Sequence, residues 1–370
     1  MSARKHKVSF GKKLLIGISG VVGIFLLVVL CYGIYLFASY KRIADMQVLE
    51  ITEPAVGEIS MDALHPGQTY GICSYNVGFG AYTPDYSFFM DGGKYARSYS
   101  AESASSAILG AAALVQKENP DFVIFQEVDR KATRSHGVNE EALISGVFPD
   151  YYESFAVNYD SAYLFYPFHE PIGKSYSGIA LYSRYPITES VRRSLPISES
   201  LSKFLDLDRC YSVSKIPVDN GRSLCIYSVH LSAYGNSDAI REAQTSMLFG
   251  DMQSELEAGN YVICGGDFNH DLKAEEGDTE NRQGWAYPFP RSEMPEGLQF
   301  AMDLLSREDY DALPDSNRND DTEYIPGQTY TCILDGFIIS DNVKLVSYDI
   351  ISTGFLYSDH EPVFMDFVLN

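Results

Sequence analysis

The sequence predicts an α/β protein of two packed, mixed β-sheets flanked by helices, preceded by one membrane-spanning helix. Three observations lead there. A long uncharged stretch lies near the start of the chain. Beyond it, short β-rich runs outnumber helical ones. Runs and helices also follow one another in mixed order, not in strict alternation.

The N-terminal element is "LLIGISGVVGIFLLVVLCYGIYLF", Leu14 to Phe37, 24 residues without a charge. As a helix it would reach about 36 Å, enough to cross a hydrocarbon core of about 30 Å. A cleaved signal peptide is the rival, but its apolar region is about 7 to 15 residues and ends at an A-x-A-like site. Neither feature fits, so the span reads as an uncleaved anchor. Arg4, Lys5, Lys7, Lys12 and Lys13 precede it and only Lys41 and Arg42 follow. That asymmetry favours a cytoplasmic N-terminus and an outward-facing remainder. The expected organisation is a basic cytoplasmic tail (1–13), a transmembrane helix (14–38), a linker (39–67) containing Pro54, Gly57, Pro66 and Gly67, and a folded domain (68–370). This describes a single-pass cell-membrane protein with an extracellular domain, expected to be a monomer.

Within the domain, "SASSAILGAAALVQKEN" (103–119) sets Ile108, Ala111, Ala112 and Val115 on one helical face and stops at Pro120. "SDAIREAQTSMLFGDMQSELEAG" (237–259) starts at a Ser cap, aligns Ile240, Ala243, Met247 and Met252, and ends at Gly259. "EGLQFAMDLLSRE" (296–308) gives a third helical pattern. Strands are expected at 70–77, 121–128, 177–187, 209–218, 222–232, 260–268, 331–340 and 361–369. Cys73, Cys210, Cys225, Cys264 and Cys332 sit in such apolar runs without the dense spacing of a disulfide scaffold, so they read as buried thiols.

The strand ends carry the chemistry. "VICGGDFNH" (262–270) runs three apolar residues into two glycines and then spaces Asp267 and Asn269 by two, so both project to one side of an extended chain. Alone, this is also what a turn closing a buried strand looks like. Five further runs end the same way. "SYNV" offers Asn76, "FQEV" Gln126 and Glu127, "SVHLS" His230, "LDGF" Asp335, and "SDHEPV" Asp359 and His360. A lone His after an apolar run is more often a satisfied core residue, and a lone Glu more often a solvated one. Six strands behaving alike weaken that explanation. Carboxylates meeting in one cleft repel unless a cation sits between them. Hard oxygen donors suit Mg²⁺, and two His with Asp neighbours suit proton transfer. The cysteines are too scattered to form a zinc site.

The ordered series "SYNV", "FQEV", "SGIALYSRYPI", "SVHLS", "GGDFN", "LDGF" and "SDHEPV" resembles the endonuclease/exonuclease/phosphatase superfamily over about 300 residues, Tyr70 to Asn370. The resemblance implies a four-layered α/β sandwich and Mg²⁺-dependent cleavage of a phosphoester, with Mn²⁺ or Ca²⁺ as substitutes. It implies Glu127 as the main metal ligand, with Asn76 beside it and Asp359 near the metal. Asp267 would orient or deprotonate the attacking water, and Asn269 would steady the phosphate. His360 would act at the phosphorus with Asp335 holding its ring, and His230 would contact the phosphate or protonate the leaving oxygen. Gly336 departs from the aromatic that often follows this Asp.

Substrate choice is expected in the loops. Residues 78–100 are rich in Tyr and Phe, and residues 271–297 hold the only Trp, Trp285. These aromatics could wall an apolar substrate, dip into a bilayer interface, or simply pack the loops. Arg130, Arg134 and Lys174, with Lys131 and His136 nearby, suggest a phosphate-binding rim. Arg184 matches a common family position. The first 42 residues hold seven of the 28 Lys and Arg and none of the 50 Asp and Glu, leaving −29 on the rest. A domain so acidic lacks the basic stripe of a protein that tracks DNA. The expected substrate is therefore a lipid headgroup or small phosphate ester, with nucleic acid open but not favoured. A catalytically silent binding domain is the third reading.

Overall fold

A computed structural model describes residues 10–56, 62–198, 200–204, 207–232, 238–277 and 284–370. The chain divides into two compact units, one ending at Lys41 and one running from Arg42 to Asn370. Among the described residues the first holds one helix, α1 (Phe10–Ser39), of mean hydropathy 2.9 in its most apolar window and with no buried residue. It is long and apolar enough to span a membrane.

The second unit is an α/β sandwich of two seven-stranded mixed sheets flanked by helices, as the sequence predicts. Its strands run β1 (Gln47–Val48), β2 (Ile51–Thr52), β3 (Thr69–Asn76), β4 (Phe122–Asp129), β5 (Tyr152–Asp160), β6 (Tyr176–Ser183), β7 (Glu189–Ser194), β8 (Cys210–Pro217), β9 (Ser223–His230), β10 (Tyr261–Asp267), β11 (His270–Asp271), β12 (Tyr287–Pro288), β13 (Leu298–Phe300), β14 (Asn317–Arg318), β15 (Thr331–Cys332), β16 (Asp335–Ser340), β17 (Val343–Ile350) and β18 (Val363–Leu369). One sheet has the order β1-β7-β8-β9-β10-β16-β13, the other β17-β18-β3-β4-β6-β5-β2. Only β3–β4 and β9–β10 are parallel within them. Each of those pairs is joined by a helix, α2 (Ala101–Glu118) and α4 (Asp238–Glu257), giving two βαβ units. Two shorter α-helices, α3 (Glu140–Val147) and α5 (Arg307–Ala312), complete the set among the described residues.

Alternation assigns the faces. In β4, Phe122 and Ile124 enter the core between the sheets, while Val123 and Phe125 face α2 and α3. α2 starts at Ser100, whose side chain accepts from Ser103 N, and buries Ile108, Ala111, Ala112 and Val115 against that outer face. α4 buries Leu248, Phe249 and Met252. The five cysteines of the domain are free, buried thiols.

Several expectations need correction. The stretch expected as a linker supplies β1 and β2, which extend one edge of each sheet, and buried Leu64. Fully buried Arg192 also holds the Ile43 and Ala44 carbonyls. Two-residue edge strands leave no periodic trace in sequence. The 296–308 pattern is not a helix: Leu298–Phe300 pairs with β16 after Gly297 at φ +88°, and a short 3₁₀ turn follows. On α4, Ala243 is exposed, and the buried face instead includes Arg241, Gln244 and Thr245. The expected Ser237 cap lies outside the described residues, as do residues 1–9 of the tail and 278–283 of the Trp285 loop.

Candidate active site

Parallel pairing brings strand ends to a common rim. Asn76 ends β3 opposite Gln126, and His230 ends β9 opposite Asp267, the last residue of β10. β16 runs antiparallel to β10, so its first residue, Asp335, also faces Asp267. Residues roughly 190 to 280 positions apart thereby meet.

Two backbone distortions aim the side chains. The β4 register slips between Phe125 and Val128, and Glu127 within that bulge has φ +57°. Asn269 has φ +52°. Left-handed backbone at a non-glycine residue costs on the order of 1–3 kcal/mol and persists where surrounding structure enforces it. The double glycine of "CGGDFN" is steric: Gly266 has φ +148°, and a Cβ there would lie 2.1 Å from the Val229 carbonyl oxygen.

Asp267 is the hub. Its Oδ2 accepts from Asn76 Nδ2 and from Asn269 Nδ2, each at 3.1 Å, and its Oδ1 accepts from Asn269 N at 2.8 Å. The same Oδ2 lies 3.6 Å from His230 Nε2 and 3.7 Å from His360 Nε2. Glu127 Oε1 is 4.0 Å from His230 Nε2. His360 Nδ1 meets Asp335 Oδ2 at 2.7 Å, and Ser316 Oγ donates to that same oxygen at 2.8 Å. An unbroken chain of contacts of 4.0 Å or less thus runs from Glu127 through His230, Asp267, His360 and Asp335. Asp359, next to His360 in sequence, is half-buried, and Ser358 Oγ donates to its Oδ1 at 3.2 Å.

Burial sets the electrostatics. It pushes the Asp267 carboxyl up to about 7, against the opposing pull of His360. Burial also raises Glu127, partly offset by the Arg134 guanidinium and reinforced by Asp359. His230 lies well below the usual imidazole range because burial and the Arg209 charge both oppose protonation. His360 goes the other way. Burial would lower it, but Asp335, Asp267 and Asp359 outweigh that and raise it well above the usual value. The two histidines therefore hold different protonation states near neutrality, one neutral and one cationic.

The Endonuclease/Exonuclease/phosphatase family matches residues 73–360. The chain belongs to that family. No curated protein sequence matches it. The endonuclease/exonuclease/phosphatase from Beutenbergia cavernae is 17% identical with a TM-score of 0.58, over 82% of this chain and 72% of that one. The human Nocturnin catalytic domain with bound sulfate anion is 19% identical with a TM-score of 0.52, over 87% and 97% of the two chains. D. rerio TDP2 complexed with single strand DNA product is 16% identical with a TM-score of 0.52, over 81% and 99%. At these identities the likeness is one of fold. The family includes nucleases, phosphodiesterases and phosphatases, and its members are generally phosphoester hydrolases, typically dependent on a divalent metal.

The donor set of this family member fits a hard cation. Glu127 is a carboxylate whose ionisation the neighbouring Asp359 carboxylate opposes, and the Asn76 amide stands at the end of the adjacent strand. Gly78, at φ +49°, lets the backbone pass close to the Tyr82 ring and the Asp359 carboxylate: a Cβ there would lie 2.5 Å from Tyr82 Cδ2 and 3.1 Å from Asp359 Oδ1. Asp267, Asp335 and His360 also bring one ligand atom each within 4.8 Å of one another. His360 Nδ1 and Asp335 Oδ2 already satisfy each other, however, so the Glu127 side suits an ion better.

The expected phosphate rim is largely not there. Arg130 pairs with Glu141 and lies over the Phe155 ring. Arg134 is buried, pairs with Asp129 at 2.9 Å and Glu127 at 3.7 Å, and stacks on Phe79 at 4.0 Å, so it supports Glu127 from behind. Exposed Lys174 pairs with Asp160 at 3.7 Å. Arg184 follows the far end of β6, where Ser183 pairs with the first residue of β4, and it bonds Asn119 away from the rim. A basic residue's position in sequence does not say which way it points. Two residues at the site escaped sequence reading. Buried Arg209 donates to the Leu231 carbonyl at 3.0 Å while its Nε has no partner among the described residues. Asn317 Nδ2 lies 3.1 Å from His360 Nε2. Arg209 sits just before β8, antiparallel to β9, so the strand-end logic that found His230 would have reached it had the pairing been known.

Proposed function

We propose that this chain is a membrane-anchored, outward-facing, Mg²⁺-dependent phosphoesterase acting on lipid headgroups or small phosphorylated molecules. The observation that carries the reading is the contact chain from Glu127 to Asp335 centred on Asp267. A divalent cation bound by Glu127, Asp359 and Asn76 would neutralise phosphate charge and align the ester.

The chain's own residues supply the rest. Asp267, its carboxyl pushed up to about 7 by burial, accepts a proton from the attacking water as its oxygen approaches phosphorus. His360, held as imidazolium by Asp335, donates toward the phosphate oxygens, where negative charge develops. Asn269 fixes Asp267 through two hydrogen bonds. Neutral His230 stands between Glu127 and Asp267, placed to donate a hydrogen bond to the phosphate, and the His360 imidazolium supplies the proton that the departing oxygen takes. Water adds to phosphorus, the ester P–O bond breaks, and the leaving oxygen ends protonated.

The anchor reading rests on α1 and on the excess of Lys and Arg before it. The rival substrate is nucleic acid, favoured by the relative bound to a DNA product and disfavoured by the acidic domain. Full-length chain incubated with Mg²⁺ and plasmid DNA, sphingomyelin, lysophospholipid or inositol phosphates decides between them, with Asp267→Ala as control. Hydrolysis of a lipid or small ester, abolished in the control, is the expected result. DNA nicking alone would replace the reading with the nuclease, and turnover of any substrate surviving in Asp267→Ala would remove the mechanism.

A further inference from the structure

Among the described residues of the domain, four aromatic side chains are exposed: Tyr99, Phe165, Tyr166 and Phe168. Three of them fall within four positions of one loop, and Phe168 is 85% exposed. Scattered apolar residues are ordinary on a surface; a concentration of large rings is not. The loop spans 161–175, between the end of β5 and the start of β6. β6 is antiparallel to β4, with Ser177 opposite Asp129, so the loop rises from the sheet end that carries Glu127.

Ring contacts tie this loop to the site. Arg134, which pairs with Glu127, lies 4.0 Å over Phe79; Phe79 then contacts Phe88 (6.3 Å), Phe88 contacts Phe89 (5.0 Å), Phe89 contacts Tyr166 (5.7 Å) and Tyr166 contacts Phe168 (6.1 Å). Met90, beside Phe89, is 59% exposed and enlarges the patch. The patch is therefore braced from inside and apolar at its tip.

We propose that this aromatic crown seats the domain in the interfacial region of a phospholipid bilayer, so that the substrate is drawn from the membrane surface. Phe and Tyr rings on a protruding loop suit the headgroup boundary, where amphipathic and apolar rings partition favourably. The chain itself keeps a bilayer at hand, since α1 is long and apolar enough to span one and Arg42 already belongs to the domain. The inference deepens the phosphoesterase reading and rests on it for the substrate; docking itself is measured without turnover.

The test uses full-length chain carrying Trp285→Phe and Phe168→Trp, reconstituted into phosphatidylcholine vesicles with and without brominated acyl chains. The expected result is blue-shifted tryptophan emission that loses most of its intensity in the brominated vesicles. The matched chain with Leu109→Trp, an exposed position on α2 and so on a different element from the crown loop, should keep its emission. Unquenched emission from the Phe168→Trp chain, when that chain floats with the vesicles, would overturn docking and leave the phosphoesterase standing, including the case in which two crowns pair with each other. Equal quenching at both positions would also overturn it, because no particular face would then be seated. Chains that fail to float would overturn both anchor and docking.

Discussion

Asp335→Asn is the most informative single change. It replaces a fully buried carboxylate by an amide of the same shape, and Ser316 Oγ keeps an acceptor. What disappears is the charge-assisted hydrogen bond to His360 Nδ1 at 2.7 Å. Such bonds contribute about 1.5–3 kcal/mol, which at about 1.36 kcal/mol per pH unit lowers the His360 pKa by about one to two units. Burial already pushes this imidazole down, so only Asp267 and Asp359 would remain to oppose it. In the native chain the folded pKa lies above the unfolded value of about 6.5. The protonated ring therefore stabilises the fold fully below about pH 6.5, and that stabilisation fades as pH rises through the folded pKa. The variant should lose most stability near pH 6 and least in alkali. Histidine-labelled NMR of the full chain, with the His360 signal assigned through His360→Gln, reads the midpoint, and thermal melts across pH read the stability. An unchanged midpoint, or a deficit independent of pH, would refute the pairing as the cause.

Other outcomes follow from the same geometry. Arg209→Gln removes a buried cation whose Nε has no partner among the described residues, and kcat/KM for an anionic ester should fall about 10- to 100-fold, the worth of one charge-assisted bond; unchanged steady-state kinetics would remove Arg209 from the site. Gly266→Ala forces a Cβ to within 2.1 Å of a backbone oxygen at φ +148° and should cost about 3 kcal/mol or more; an unaltered Tm would show that the strand end relaxes.

Most of the site was legible because its residues are polar groups that end apolar strands, a local signal that needs no knowledge of pairing. Asn76, Glu127, His230, Asp267 and His360 were all visible this way, and the sheets bring them together. Strand β7, "ESVRRS", was invisible because its burial rests on Arg192 and Ser190, with half-buried Val191 as its one apolar residue. Strand β5 buries Glu153, Ser154 and Asn158, which spoils the alternation that marks a strand. Arg134 and Arg184 were misplaced for one reason: charge in sequence carries no direction, and one guanidinium turned inward while the other lies at the opposite end of its strand. Residues 296–308 show the converse, a helical spacing of apolar groups overridden by pairing to β16.

The central claim is that Glu127 and its neighbours gather one divalent cation beside the Asp267 and His360 pair. Titrating full-length chain with Mn²⁺ and counting free ion by electron paramagnetic resonance tests it directly. A saturable site is expected in the native chain, weakening sharply in Glu127→Gln while the Tm of the ion-free protein is kept. Identical Mn²⁺ binding in the two proteins would contradict it.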